Sequence, residues 1–325
     1  MEGYRINSKE QFLNQILKCS EEELSNHINN KTTAYNKYSK KKKSGTRIIY
    51  AVTKTNPIYY HQNDLKSIFF RTFLFPESVC GFRKGKSYYN FLMPHISRTR
   101  SRFFLRLDIS DFFGSIRIED LRDALSYYFV NYINDEEKKW VINAIIEIVT
   151  VDNKLVQGAL TSPMLSNLVF RSLDIRIEKY CKEFGIIYTR YADDMLFSSS
   201  SSYVHNYKFQ NMIKTIIKDK GFMLNTNKTM MCIDTISING YVIDSSIRLS
   251  RKKFKDLNKI IYDMKKKTFV GFCDRREKYR IKNQLAGYRS FLIDSSRNIN
   301  DIEYNKRVES KIEQIEHLIM KYCRE

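Results

Sequence analysis

Two adjacent carboxylates, Asp193 and Asp194, close the tetrad Tyr191-Ala192-Asp193-Asp194, with apolar sequence on both sides: Ile186-Ile187-Tyr188 before, Met195-Leu196-Phe197 after. Neighbouring acids in an apolar setting repel one another and lose hydration, a cost that bound cations remove. A solvated turn could carry Asp-Asp freely, but its flanks would be polar. A third carboxylate, Asp108, ends another apolar run, Phe103-Phe104-Leu105-Arg106-Leu107. Carboxylates converging from separate strands suit two Mg²⁺ ions roughly 3.5–4 Å apart, the arrangement for in-line phosphoryl transfer. Because Mg²⁺ keeps water and substrate oxygens as ligands, three protein carboxylates suffice. Asp111, close to Asp108 in sequence, is expected to face another way.

The flanking sequence must supply the elements that hold these acids. Residues 103–108 read as a buried strand ending in a carboxylate, and 186–197 as a β-hairpin with both acids at its turn. Helical spacing marks 120–130 and 136–149, and Pro163 opens a further helix carrying Leu165, Leu168, Val169 and Leu173. Ile236 to Ile243 is a single strand candidate, and Ser198 to Ser202 a loop. Near the N-terminus, Ser8-Lys9-Glu10-Gln11 has a capping-box pattern, and Ser20 with Glu21 to Glu23 opens a second helix. Lys40 to Lys43, Ser44-Gly45-Thr46 and Arg47-Ile48-Ile49-Tyr50 suggest a hairpin with a positive edge. Gly81 to Lys86 is a second basic, glycine-punctuated loop.

The chain has 325 residues and a net charge of +20, which favours a polyanionic partner through phosphate neutralisation. Residues 251–285 alone carry 13 Lys/Arg against 4 Asp/Glu, a net of +9, interleaved with Phe254, Leu257, Ile260, Ile261 and Met264. They read as basic amphipathic helices, and the helical pattern returns over 299–322. A domain boundary is expected near residue 246. The six cysteines form no CxxC pair and the five histidines are dispersed, so no zinc-type spacing exists. No long apolar run or signal-peptide core is present, and a cytoplasmic protein is expected.

At this point the motif order resembles that of reverse transcriptases, most closely the bacterial retron enzymes, over about residues 35 to 295. Lys40 to Tyr50 and Gly81 to Ser87 resemble the two fingers motifs. Phe104 to Phe113 resembles palm motif A, and Gln157-Gly158-Ala159-Leu160-Thr161-Ser162-Pro163 motif B. Tyr191 to Asp194 resembles the xxDD box, Gly221 to Thr229 motif D, and Ile238-Asn239-Gly240 the primer grip. Each motif is short; seven in order are hard to obtain by chance.

The resemblance implies an α+β, right-hand polymerase fold with fingers, antiparallel-sheet palm and helical thumb. It divides the chain into an N-terminal helical arm (1–34), fingers and palm (35–245) and thumb (246–325). The implied activity is RNA-directed DNA polymerisation, with Asp108, Asp193 and Asp194 holding two Mg²⁺ ions. Phe113 would be a steric gate against a ribose 2′-hydroxyl, whereas adjacent Phe112 is expected in the core. Gln157 and Gly158 would pack against nucleotide and template, Lys41 and Arg47 would contact the triphosphate, and Lys228 would serve the leaving pyrophosphate. Arg83, Lys84, His95, Asn239, Gly240, Arg251, Lys252 and Lys253 would contact nucleic acid. A retron enzyme would bind a structured non-coding RNA, copy it into RNA-linked DNA, and act with an effector protein in anti-phage defence.

The chain departs from the retron pattern at Phe91-Leu92-Met93-Pro94-His95, where Asn-Ala-x-x-His is usual, with Asn90 one position early. It also has Ile238-Asn239-Gly240 for Val-Thr-Gly, and Val156 and Leu160 in motif B where prolines are usual. The competing readings are a defence reverse transcriptase of abortive-infection type, an RNA polymerase of similar palm, against which Phe113 speaks, and a non-catalytic RNA-binding scaffold.

Overall fold

The computed structural model describes residues 6–41, 45–97, 101–129, 134–266, 275–297 and 302–322. Lys42, Lys43 and Ser44 of the basic run, Val130, and cysteines 273 and 323 lie outside these residues. Helix α1 (Lys9–Gln11) runs into a π-helical turn, Phe12–Leu17, and α2 covers Glu21–Asn29. Ser8 Oγ accepts from Gln11 N, and Ser20 forms a full capping box with Glu23. Strands β1 (Tyr35–Lys41) and β2 (Thr46–Val52) then form the expected basic hairpin, and α3 (Pro57–Asp64) and α4 (Tyr88–Leu92) follow.

The central sheet has the order β4-β5-β3-β6, antiparallel throughout, from β3 (Phe103–Asp108), β4 (Ile187–Tyr191), β5 (Asp194–Ser199) and β6 (Met230–Ile233). Between its strands run α5 (Ile118–Ser126), α6 (Asp135–Val149), α7 (Ser162–Glu183, proline in its first turn) and α8 (Tyr207–Lys218). Alternation along the strands sends neighbouring residues to opposite faces. Leu105, Leu107, Met195 and Phe197 enter the large core made with these helices. Phe104 and Leu196 enter a second core on the other face. Asp108 shares the Phe104 face by that alternation, and its cross-strand partner is Asp194.

The second core also takes in a three-stranded sheet, β7 (Ile236–Ile238), β8 (Tyr241–Ile243) and β9 (Ile247–Leu249), with helices α9 (Arg251–Lys265), α10 (Arg275–Ser296) and α11 (Ile302–Tyr322). The single strand expected over 236–243 is therefore a hairpin. Asn239 and Gly240 both take positive φ (49° and 83°), as a two-residue hairpin turn requires. The boundary expected near residue 246 falls inside this sheet, between β8 and β9. Ser198 and Ser199, expected in a loop, instead end β5 as buried residues. Among the described residues, no helix is long and apolar enough to cross a membrane.

Candidate active site

The loop between β4 and β5 has only two residues, Ala192 and Asp193, because Tyr191 already pairs with Asp194. Only Asp193 is thus at the turn; Asp194 belongs to the ladder. Ala192 takes a φ of 57°, costly for a residue with a β-carbon, and the surroundings enforce it. Ile109 N donates to Asp193 O at 2.9 Å, fixing the turn against the end of β3. A β-carbon on Gly81 would lie 2.5 Å from Ala192 N, so the Gly81 loop can pack on the turn only as glycine.

Behind the turn, Arg190 and Asp174 form an ion pair in which both side chains are fully buried. Arg190 Nε and Nη2 donate to the two Asp174 oxygens at 2.8 and 2.7 Å, and Nη1 donates to Asn167 Oδ1 (3.1 Å) and Ala192 O (3.0 Å). Tyr188 OH donates to Asp174 at 2.7 Å. Motif B helix α7 is thereby tied to the acidic turn through buried, mutually satisfied polar groups, a geometry in which charge-assisted bonds are strong.

Each acid has its own environment. Asp108 is buried, and Lys228 Nζ donates to both its oxygens at 2.8 Å. Asp194 pairs with Arg106, which approaches through Nε at 2.9 Å and also through Nη2, and accepts from Asn239 Nδ2 at 3.0 Å. Asn239 Nδ2 also reaches Tyr88 OH at 2.9 Å. Asp193 has no such cationic partner at contact distance among these bonds. Burial first, then Asp194 and Asp108, pushes its carboxyl above the usual range.

These acids open onto a cleft of about 640 Å³. Its lining includes Asp108, Asp193 and Lys228, Arg47 and Tyr50 of β2, and Phe113, Gln157, Lys154 and Phe82. Phe112 packs in the core against Phe170 and Phe222, while Phe113 is half-buried and faces the cleft. The cleft walls thus carry cations and a ring beside paired carboxylates, the chemistry that grips a triphosphate and restricts a sugar.

The donor set suits a hard divalent cation, since Asp108 and Asp193 offer only carboxylate oxygens and Asp193 carries under-compensated negative charge. Lys228 must release Asp108 for such an ion to be held there. Among the described residues, no three His, Cys, Asp or Glu side chains are grouped closely enough to hold a metal as they stand. Asp194 is outside the cleft lining, its carboxylate being turned to Arg106 and Asn239.

Several expected contacts are placed differently. His95 is fully buried: its Nδ1 lies 2.7 Å from Ser198 Oγ and its Nε2 2.8 Å from Thr189 Oγ1. It bolts the α4 segment to β4 and β5. Asn90 does not replace the missing Asn; it accepts from Ser87 N at 2.7 Å as a helix cap. Arg83 turns inward to the carbonyls of Pro76 and Val79 at 2.8 and 3.1 Å. Lys253 lies 3.5 Å over the Tyr241 ring and donates to Asn239 O at 3.3 Å. A β-carbon on Gly240 would collide with the Lys253 side chain. Gly158 abuts Tyr50 O, 2.6 Å from where its β-carbon would be, so it joins motif B to β2. Lys41, Lys84, Arg251 and Lys252 are exposed. Asp111, expected to face away, lines the cleft with a φ of 40°.

Sequence reasoning missed Arg106, Phe82, Lys154 and the Arg190–Asp174 pair. Arg106 was legible, because a residue two before Asp108 on a strand must share its face. Lys154 follows Asp152-Asn153, both at positive φ, in a tight turn that aims it at the cleft. Asp174 lies in a long helix with no local sign of its distant partner.

The model of the family described as reverse transcriptase (RNA-dependent DNA polymerase) matches residues 38–272. The retron Ec86 reverse transcriptase of Escherichia coli is 29% identical over 284 residues, covering 81% of each chain. The retron Mx65 reverse transcriptase of Myxococcus xanthus is 30% identical over 195 residues, 56% of this chain and 45% of that one. Among solved structures, Candida tropicalis telomerase with a telomeric RNA fragment aligns over 92% of this chain and 57% of its own, with a TM-score of 0.50 at 12% identity, a likeness of fold. The right-hand arrangement of palm sheet, fingers hairpin and helical thumb is therefore that of a polymerase, and the chain belongs to the reverse transcriptases, RNA-directed DNA polymerases, of the retron type.

Proposed function

We propose that the chain copies a structured non-coding RNA into single-stranded DNA that stays linked to the RNA, within a retron that acts against phage. The observation that carries the polymerase chemistry is the meeting of Asp108 and Asp193 in one cleft with Arg47, Gln157, Lys228 and Phe113. Two Mg²⁺ ions, when bound at Asp108 and Asp193, would activate the primer hydroxyl and stabilise the charge on the transferring phosphate. Asp194 would support them from the adjacent ladder position. Arg47 would hold the triphosphate, Gln157 the nucleotide, and Phe113 would exclude a ribose 2′-hydroxyl. Lys228, on leaving Asp108, would stand beside the pyrophosphate with a proton to give. The basic thumb helices would grip the duplex backbone without reading sequence. We take the thumb to begin with β7, which keeps the β7–β9 sheet whole.

Retron function predicts priming from a 2′-hydroxyl of the bound RNA, a separate effector protein, and action in the cytoplasm. The similarity to several retron enzymes favours this over an abortive-infection reverse transcriptase. The test is to express the gene with its flanking DNA and sequence the nucleic acid that copurifies. One short DNA joined to one RNA is expected, and RNA without DNA from Asp108→Asn. Wild-type protein carrying RNA but no DNA contradicts the reading.

A further inference from the structure

Phe82 is an aromatic residue of the cleft with no part in holding the carboxylates. The residue is 37% exposed, and its backbone takes a φ of 60°, a region that costs a bulky residue and suits glycine or asparagine. Phenylalanine is a poor choice for stability on both counts. The loop that carries it is nevertheless firmly seated. Cys80 N donates to Arg190 O at 2.8 Å, Asn167 Nδ2 donates to Gly81 O at 2.8 Å, and Arg83 is tied inward to Pro76 O and Val79 O. Strained backbone held by its neighbours is characteristic of functional positions.

The fixed loop delivers the Phe82 ring to a defined place. Its centroid lies 6.2 Å from that of Phe113 and 6.4 Å from that of Tyr191. Phe113 also meets Phe112 at 5.6 Å, and Phe112 is locked into the core by Phe170 and Phe222. Phe113 therefore packs against both a core ring and a loop ring. A ring that excludes a hydroxyl by bulk works only if it cannot swing aside, and Phe82, which lines the same cleft, packs next to it.

We propose that Phe82 is a specificity-determining residue: it backs Phe113, and the two rings together close the space that a ribose 2′-hydroxyl would need. This rests on the reading of Phe113 as the sugar gate. The competing reading is that Phe82 only packs its loop on Tyr191, in which case sugar choice is indifferent to it.

The experiment compares kcat/KM for a dNTP and the matching rNTP on a primed RNA template, using the full chain. Phe82→Gly removes the ring and relieves the backbone, so lost packing and strain relief offset and its Tm should stay near that of wild type. Its preference for dNTP should fall about 2- to 10-fold, the scale of one aromatic pair. Phe82→Tyr should keep the wild-type ratio, and Phe113→Ala should lower it further, with Phe82→Gly adding nothing on top. If Phe113→Ala collapses the ratio while Phe82→Gly leaves it within about 2-fold of wild type, the inference is overturned and the gate stands. If Phe113→Ala leaves the ratio unchanged, the gate reading falls and the inference with it. Should Phe82→Gly lose all incorporation, Phe82→Leu decides by the same ratio.

Discussion

Replacing Arg190 by Met tests the physical argument for what holds the acidic turn. Both members of the Arg190–Asp174 pair have no solvent-exposed side-chain surface. The substitution keeps much of the aliphatic volume but removes two bonds to Asp174 and those to Asn167 and Ala192 O. Asp174 keeps only Tyr188 OH among these partners, leaving a buried carboxylate largely uncompensated. Breaking one side of such a pair costs about 3–5 kcal/mol, a large part of a typical total stability of about 5–15 kcal/mol. In a chain of this size that corresponds to a fall in Tm of about 4–7 °C. Asp174→Leu alone strands the guanidinium and should cost a similar amount. The double variant, with neither charge, should recover most of the loss. Its polymerase activity should still lag, because nothing then donates to Ala192 O. Urea and thermal unfolding of the four proteins give the numbers. Single variants within about 1 kcal/mol of wild type, or a double variant as unstable as both singles summed, would refute the reasoning.

Three further outcomes follow from the geometry. His95 is held neutral by burial, which with Arg102 pushes its imidazole down to about 3, from an ordinary value near 6.5. A depressed histidine leaves stability intact above the unfolded value and loses it as pH falls from about 6.5 toward 3, by about 1.4 kcal/mol per unit. His61, pushed down to about 4 by burial, acts in the same direction. His95→Gln should flatten part of the loss measured by urea titration between about pH 6.5 and 4.5; an unchanged slope contradicts it. Asn239→Ala removes a bond to the Asp194 carboxylate, a contact of about 1.5–3 kcal/mol, and should cut dNTP incorporation roughly 10-fold at unchanged RNA affinity; equal activity shows that the contact is idle. Gly81→Ala would force a β-carbon against Ala192 N, 2.5 Å away, and displace the turn. It should reduce incorporation far more than Gly85→Ala, where nothing lies within 4 Å and only the positive φ of 77° resists.

Much of the site was legible because strand alternation and short-range turn chemistry are local. The apolar run ending in Asp108, the Asp-Asp hairpin and the helix opened by Pro163 appear where residue patterns put them. Two local signals were present but misread. Asn239-Gly240 is a strong two-residue hairpin turn, and it divides what periodicity alone joins into one strand. Ser198-Ser199 continue β5 because Ser198 Oγ bonds His95 from the α4 segment, a partner more than a hundred positions away in sequence. Distant pairing also gives protein partners to residues that sequence assigns to nucleic acid. Arg83, Asn239 and Lys253 resemble nucleic-acid contacts by type and motif, yet each has a protein partner brought in by tertiary folding. Charge type gives a residue's capacity; only the packed neighbours decide where it is used.

The central claim is that Asp108 and Asp193 together do the chemistry, and single-nucleotide dNTP incorporation on a primed RNA template with Mg²⁺ tests it most directly. Wild type should extend the primer. Asp108→Asn and Asp193→Asn should each lose on the order of a thousandfold or more, as loss of transition-state charge stabilisation does, while their melting curves stay cooperative. Full incorporation by either variant, or none by well-folded wild type, would contradict the account.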